Sequence, residues 1–159
     1  PFQASVVAGA RSVMTAYNSV DGTPATQSAY LINRMLRREW KFPGFVISDA
    51  AATGGATVLH MTEPTTPAAA RDAFQAGLDV VFQSSYEQAR PYLAAFTQGL
   101  VSDSVMDAAV LRVLANKFAI GLFDEPIMPT RLPDAVAKKN PTNSMTIAAT
   151  MPPTVFPEK

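Results

Sequence analysis

At 159 residues and 17.0 kDa the chain has the length of one domain, and 48% hydrophobic against 16% charged residues fits a packed core rather than a disordered segment. Thirteen basic residues balance thirteen acidic ones, no basic run suggests a nucleic-acid or membrane partner, and no apolar stretch reaches the roughly 18 residues of a membrane span. The absence of cysteine excludes disulfides and thiolate sites, and the single histidine, His60, excludes a site that needs two imidazoles. We expect no metal and no other cofactor, and the composition leaves the cellular compartment open.

Three short apolar runs predict buried strands of a parallel sheet, because apolar residues occupy successive rather than alternate positions. These runs are Ser12–Tyr17, Gly44–Asp49 and Gly77–Gln83. Turn residues follow the first run, and the second is entered through Pro43 and Gly44.

Helical periodicity fills the segments between and after these runs. The predicted helices are Gln27–Trp40, Pro67–Ala76, Glu87–Gln98 and one from an N-cap at Ser102 to about Ile120. In the first helix three arginines are predicted to be exposed, namely Arg34, Arg37 and Arg38. In the last helix five residues are predicted to point inward, namely Val105, Ala109, Leu111, Leu114 and Phe118.

Alternating strands and helices indicate an α/β fold built from right-handed βαβ units on a parallel sheet. Three such units fit half of a doubly wound sheet or three consecutive units of an eight-stranded barrel, and composition does not separate the two. The sequence after Asp124 is rich in proline and has little periodicity. We therefore expect a folded domain over 1–124 and an irregular or disordered tail over 125–159.

Ligands of parallel α/β proteins bind at the carboxyl ends of the strands, and this rule selects three dipeptides. They are Tyr17-Asn18, Ser48-Asp49 and Gln83-Ser84, among which Asp49 is the only carboxylate. One interpretation of Asp49 is a helix N-cap, because three alanines and a threonine follow it. The other is catalysis or ligand binding, since an unpaired buried charge at a strand end is costly and rarely accidental.

Several motifs, in the correct order, resemble the catalytic domain of glycoside hydrolase family 3. Ser12-Val-Met-Thr-Ala-Tyr-Asn-Ser-Val-Asp-Gly-Thr-Pro24 and Leu36-Arg-Arg-Glu-Trp-Lys-Phe-Pro-Gly-Phe-Val-Ile-Ser-Asp49 are similar to the region around that family's nucleophile. The resemblance continues through Ala69–Asp79 and Val101–Asp124, so that it covers roughly Phe2–Asp124. It implies the C-terminal portion, about three βα units, of a TIM-like (β/α)8 barrel.

The resemblance also implies a retaining β-glycosidase of the β-glucoside or β-xyloside class, in which Asp49 attacks the anomeric carbon and forms a covalent glycosyl-enzyme. Tyr17 matches a tyrosine that the family places beside the nucleophile, although a core aromatic at a strand end is the alternative. Ser48 and Ala50 flank the nucleophile and are the other expected substrate-binding residues. Ala50 stands where the family usually has an aromatic residue, which suggests a more open leaving-group subsite. The expected substrate is a β-linked oligosaccharide or an aryl or alkyl glycoside.

Other residues in the matching region are expected to have structural roles. Glu39 and Trp40 lie at a helix end away from the strand tips, and packing is their predicted role. His60 and Glu63 follow the nucleophile in a loop, where they line the pocket or are simply solvated. Asp79 begins a strand, on the face of a barrel that is associated with stability.

The chain begins at Pro1, so we expect it to derive from a longer protein. The sugar-gripping residues of the family's earlier barrel units have no counterpart in it, and no acid/base residue is identified. A complete site would need the missing barrel half and a second domain, and we expect the isolated chain to be inactive or very weak. The alternative is a truncated, non-catalytic remnant of such an enzyme.

Overall fold

The computed structural model describes residues 1–124, and the predictions for the tail fall outside them. The helices are α1 (Phe2–Val7), a 3₁₀ turn (Ala25–Gln27), a π-helix (Tyr30–Glu39), α2 (Ala52–Val58), α3 (Thr66–Gln75), α4 (Tyr86–Thr97) and α5 (Asp103–Ala119). The strands are β1 (Ser12–Thr15), β2 (Ser19–Val20), β3 (Thr23–Pro24) and β4 (Phe45–Ser48). Strands and helices alternate as predicted for an α/β fold.

The central sheet pairs β1 with β4 in parallel, in a register that places Ser12 opposite Phe45 and Thr15 opposite Ser48. This pairing confirms the first two predicted strands and their parallel orientation. It also brings the carboxyl ends of both strands to one edge of the sheet.

The third predicted strand, 77–83, is wrong as a regular strand, because it contributes only an isolated parallel bridge from Val80 to Ile47. Two successive amides, those of Asp79 and Val80, both donate to the carbonyl of Val46. Further along, the Phe82 amide donates to the side-chain oxygen of Ser48. A ladder needs one backbone partner at each step, so these doubled and side-chain bonds interrupt it.

After β1 the chain turns through a small antiparallel hairpin, β2 and β3. The two turn residues, Asp21 and Gly22, have φ of 50° and 77°. A two-residue hairpin turn of this kind requires positive φ at both positions, which Asp-Gly tolerates.

The helix predicted over Gln27–Trp40 is present but is divided, with the 3₁₀ turn preceding the π-helix. Ile32 and Leu36 lie buried on its inner face, in agreement with the predicted amphipathic pattern. The prediction that Arg37 is exposed is wrong, because its side chain is only 14% exposed and forms an ion pair with Asp79.

Two neighbouring clusters of buried side chains form the core. The first lies between the π-helix and the sheet and contains Val6, Ile32, Leu36, Phe42, Val46, Ala73 and Leu78. The second joins α3, α4 and α5 and contains Ala70, Phe74, Tyr92, Ala95, Val101 and Ala109. The helices α3 and α4 match their predicted ranges, and Thr65 caps α3 with Pro67 in its first turn.

The inward face of α5 differs from the prediction. Leu111, Leu114 and Phe118 are exposed, and only Ala109 of the predicted set is fully buried. The face toward the protein instead carries Arg112 and Asn116, which bond to Asp79 and to the Pro43 carbonyl. Buried polar partners on neighbouring elements therefore set the rotation of this helix more strongly than its own leucines do.

Within residues 1–124 no helix is long and apolar enough to cross a membrane. The same residues contain no cluster of three or more histidine, aspartate or glutamate side chains that could hold a metal ion.

Candidate active site

Asp49 directly follows β4, at the edge of the sheet where the parallel strands end. Its amide donates to the Thr15 carbonyl at 3.2 Å, which extends the pairing with β1 by one step. Its Oδ1 accepts a 2.7 Å hydrogen bond from the next amide, that of Ala50. The sheet therefore fixes the backbone of this carboxylate, and the following residue fixes its side chain.

The side chain of Asp49 does not cap a helix. Helix α2 begins at Ala52, and its N-cap, Ala51, receives no side-chain hydrogen bond. Ala51 adopts φ of 61°, a left-handed conformation that a residue with a Cβ rarely takes, and its amide donates to the Phe82 carbonyl. The strained corner separates the carboxylate from the helix, so the capping interpretation is wrong.

Side chains alternate along β4, which decides where Asp49 points. Val46 and Ser48 are fully buried against the helices, whereas Phe45 and Ile47 are half-buried on the other face. By this alternation Asp49 lies on the same face of the sheet as Ile47. The helices leave that face uncovered. Among the described residues Asp49 takes part in no ion pair, so its carboxylate is free to meet a ligand.

Tyr17 lies beside this carboxylate. Its hydroxyl donates to the carbonyl of Ala50 at 2.7 Å, and 46% of the residue is exposed. Local desolvation, followed by the nearby Asp49 carboxylate, raises the pKa of the Tyr17 hydroxyl, so the phenol keeps its proton. The alternative of a core aromatic is wrong, because a core residue would not remain so exposed.

The two neighbours of Asp49 are held in different ways. Ser48 is fully buried, and its Oγ accepts a 2.9 Å hydrogen bond from the Phe82 amide. Ala50 is half-buried, and its carbonyl is the acceptor for Tyr17. The substrate-binding roles predicted for Ser48 and Ala50 stay predictions. For Ser48 the geometry shows a hydrogen bond that links β4 to the backbone of Phe82.

His60 also reaches this site, through a contact that the sequence does not reveal. Its Nε2 lies 2.7 Å from the carbonyl oxygen of Tyr17. The two residues are 43 positions apart, and no local pattern links them. Glu63, the other loop candidate, instead pairs with Arg71 at 3.6 Å and lines a separate groove of about 470 Å³.

A family model decides the identity of the domain. Residues 1–116 match the model described as the glycosyl hydrolase family 3 N terminal domain, which is well over half of the chain. The chain belongs to glycosyl hydrolase family 3. Its α/β architecture is that of the TIM-barrel-like domain of this family, and the family consists of glycoside hydrolases.

Curated relatives of this chain support the assignment. A periplasmic β-glucosidase of Salmonella typhimurium is 36% identical over 127 residues, covering 79% of this chain and 16% of the relative. A probable β-D-xylosidase 6 of Arabidopsis thaliana is 32% identical over 125 residues, covering 78% of this chain and 15% of the relative. The chain thus spans about a sixth of the length of these relatives.

Solved structures agree with the fold. A β-glucosidase of Listeria innocua superposes with a TM-score of 0.73 at 33% identity, covering 87% of this chain and 19% of that one. The same Listeria enzyme has been solved with glucose and, as a mutant, with laminaribiose.

The opposite ends of the strands in this family 3 chain carry a second, quite different carboxylate. The side chain of Asp79 is completely buried and lies 2.6 Å from Arg37 Nη2 and 2.7 Å from Arg112 Nε. Its Oδ2 also accepts a hydrogen bond from the Val46 amide at 2.8 Å. These bonds tie the π-helix, β4 and α5 together, which agrees with the stability role predicted for Asp79.

Proposed function

We propose that the chain is part of a retaining β-glycosidase, which hydrolyses O-glycosidic bonds of β-glucosides or β-xylosides with Asp49 as its nucleophile. The observation that carries this proposal is the state of Asp49. It lies at the carboxyl end of β4, on the uncovered face of the sheet, without a helix to cap and without an ion pair among residues 1–124. Family membership supplies the chemistry that suits such a carboxylate.

In the proposed reaction an oxygen of Asp49 forms a bond to the anomeric carbon while the bond from that carbon to the leaving-group oxygen breaks. The leaving oxygen takes a proton from a general acid, a role that we assign to no residue of this chain. Water then attacks the same carbon, gives up a proton and releases the sugar and the Asp49 carboxylate.

The residues around Asp49 have proposed roles that fit their contacts. Tyr17 remains protonated, so its hydroxyl can orient the Asp49–Ala50 corner and present its half-exposed ring to a sugar. Ala50 presents only a methyl group, which leaves room for a larger leaving group such as an aryl or alkyl aglycone. Ser48 acts through the backbone of β4. It directly precedes Asp49, and its hydrogen bond from the Phe82 amide holds it in place.

We further propose that residues 1–124 supply the nucleophile, whereas parts of the relatives that this chain does not match complete the site. The chain aligns with only 15–16% of the two curated relatives above. Without general acid help, which contributes about 10²–10⁴ in rate, the chain alone should turn over natural glycosides very slowly.

Covalent labelling tests the nucleophile without requiring full turnover. A 2-fluoro glucoside with a dinitrophenyl leaving group needs no general acid, because this phenolate leaves unprotonated. Intact-mass spectrometry should detect one added fluoroglucosyl group on the wild-type chain, and peptide mapping should place it on Asp49.

Two variants make the labelling specific. Asp49→Asn should abolish the adduct, whereas Asp21→Asn, a matched change at an exposed hairpin turn, should leave it intact. Absence of an adduct from a wild-type sample with native-like circular dichroism would contradict the proposal and favour a non-catalytic remnant. Labelling that persists in Asp49→Asn would also contradict it.

A further inference from the structure

Tyr17 forms two hydrogen bonds, one through its hydroxyl and one through its backbone carbonyl, to segments on either side of α2. Its hydroxyl donates to the carbonyl of Ala50, just before that helix, at 2.7 Å. Its backbone carbonyl meets Nε2 of His60, just after the helix, also at 2.7 Å. One tyrosine therefore spans both ends of the helix that follows Asp49.

The direction of the second bond follows from the groups involved. A backbone carbonyl oxygen carries no hydrogen and can only accept, so Nε2 of His60 must carry the proton that is shared. The backbone of His60 is held separately, because its amide donates to the Gly55 carbonyl at 2.9 Å. The imidazole thus extends from a fixed loop, and its bond acts on Tyr17 rather than on its own fold.

Tyr17 has little else to hold it. It follows β1 outside the ladder, it is 46% exposed, and it lies in the short connection to the hairpin. An exposed aromatic ring with one hydroxyl bond would sample several rotamers, and a second fixed point at its backbone restricts them.

We propose that His60 is a positioning residue, whose Nε2–H bond to the Tyr17 carbonyl holds the Tyr17 hydroxyl at the Asp49–Ala50 corner. The consequence for catalysis rests on the proposed nucleophile, but the positioning itself does not. Loss of the imidazole frees the Tyr17 backbone, and the hydroxyl then moves away from the carboxylate and into water.

The rate of tyrosine nitration reports the position of the Tyr17 hydroxyl, because tetranitromethane reacts with the phenolate. Local desolvation, followed by the nearby Asp49 carboxylate, raises the pKa of Tyr17 and so disfavours that form. The chain has no cysteine, so no thiol competes for the reagent. Tyr86, which is 68% exposed on α4, serves as an internal reference in the same sample. The measured quantity is the ratio of the Tyr17 to the Tyr86 nitration rate at pH 8, determined by peptide mapping.

Three variants test the specific bond. His60→Ala should raise this ratio, because the freed Tyr17 hydroxyl leaves the surroundings that raise its pKa. His60→Gln should restore the wild-type ratio, because its amide N–H can take the place of Nε2–H. Met61→Ala, a control at the next residue, which is 77% exposed, should leave the ratio unchanged.

An unchanged ratio in His60→Ala would overturn the proposal. So would an equal rise in all three variants, since this would indicate a loosened loop rather than a lost hydrogen bond. A further test uses the wild-type chain and needs no variant. Because the chain has a single histidine, its ¹⁵N NMR spectrum contains one set of imidazole signals. A dominant Nδ1–H tautomer in that spectrum would contradict the bond. If the nitration ratios change as expected but no fluoro-sugar adduct forms, the positioning role of His60 is supported. Only the proposed role of Asp49 as the nucleophile is then contradicted.

Discussion

Asp79 and Asp49 lie at opposite ends of the same short parallel sheet, and they differ in burial and in partners. Asp79 is fully buried between Arg37 and Arg112 and accepts the Val46 amide. Asp49 is half-buried, bonds to the amide next to it and, among the described residues, meets no cation.

The difference separates two uses of one functional group. A carboxylate whose two oxygens are both engaged inside the protein holds elements together and has little capacity left for a ligand. A carboxylate that is fixed in place but left without a cation retains that capacity. The amino ends of the strands thus serve stability, and the carboxyl ends are available for chemistry.

The largest expected effect is on the buried carboxylate. Asp79→Asn leaves two arginines without their counter-charge, and breaking a buried ion pair from one side costs about 3–5 kcal/mol of unfolding free energy. Urea unfolding followed by circular dichroism measures this loss. Asp107→Asn, on an exposed part of α5, is the matched control and should change stability by less than about 0.5 kcal/mol.

A packing test at the other end of the sheet should give an intermediate effect. A Cβ on Gly54 would lie 2.5 Å from the hydroxyl of Tyr92, so Gly54→Ala should displace α2 from α4 and cost about 1–3 kcal/mol. Gly55→Ala is the control, since its Cβ would meet only Leu59 at an ordinary 3.4 Å and a helical alanine is favoured over glycine. Equal unfolding midpoints for the two variants would show that this contact is not tight.

Glu63 is an intermediate case between the two aspartates. Burial and the neighbouring Asp72 raise its pKa, while Arg71 opposes them. The protonated form is therefore favoured in the folded state, and its contribution to stability is lost as the pH rises from 4.5, the ordinary glutamate value, through the folded pKa. Glu63→Gln should gain stability relative to wild type over this range, by less than about 1 kcal/mol.

Urea unfolding at a series of pH values measures the Glu63 effect. Glu87→Gln, at the exposed start of α4, should show no such pH-dependent gain. A constant difference between Glu63→Gln and wild type at every pH would contradict the expected linkage.

The smallest effect on stability is expected for Asp49→Asn. An asparagine oxygen can accept the same Ala50 amide, and no ion pair among residues 1–124 is lost, so the unfolding free energy should change by less than about 0.5 kcal/mol. A loss as large as that of Asp79→Asn would remove the distinction between the two ends of the sheet. Thermal unfolding of the two variants under identical conditions makes the comparison.

Local patterns were sufficient for the elements whose signals lie within a few residues. Pro67 and the cap Thr65 mark the start of α3, and the glycines 99 and 121 follow the ends of α4 and α5. Both take φ near 70°, a backbone conformation that favours glycine at the residue after a helix. Continuous apolar runs likewise identified β1 and β4 and placed Asp49 at a strand end.

Contacts between distant segments decided the rest. Residue 79 lies 42 positions from Arg37 and 33 from Arg112, and this ion cluster reversed both the predicted exposure of Arg37 and the predicted inner face of α5. The same kind of separation hid the bond between His60 and Tyr17.

The sequence by itself determined the strands β1 and β4, the helices α3, α4 and α5, the family motifs and the carboxylate at the tip of β4, because each depends on side chains that are close along the chain. Only the tertiary structure decided which carboxylate is neutralised, that Asp49 caps no helix, and that Tyr17 spans the two ends of α2. These outcomes depend on hydrogen bonds and ion pairs between segments tens of residues apart. The energy of each such interaction depends on two residues, and no single stretch of sequence contains both of them.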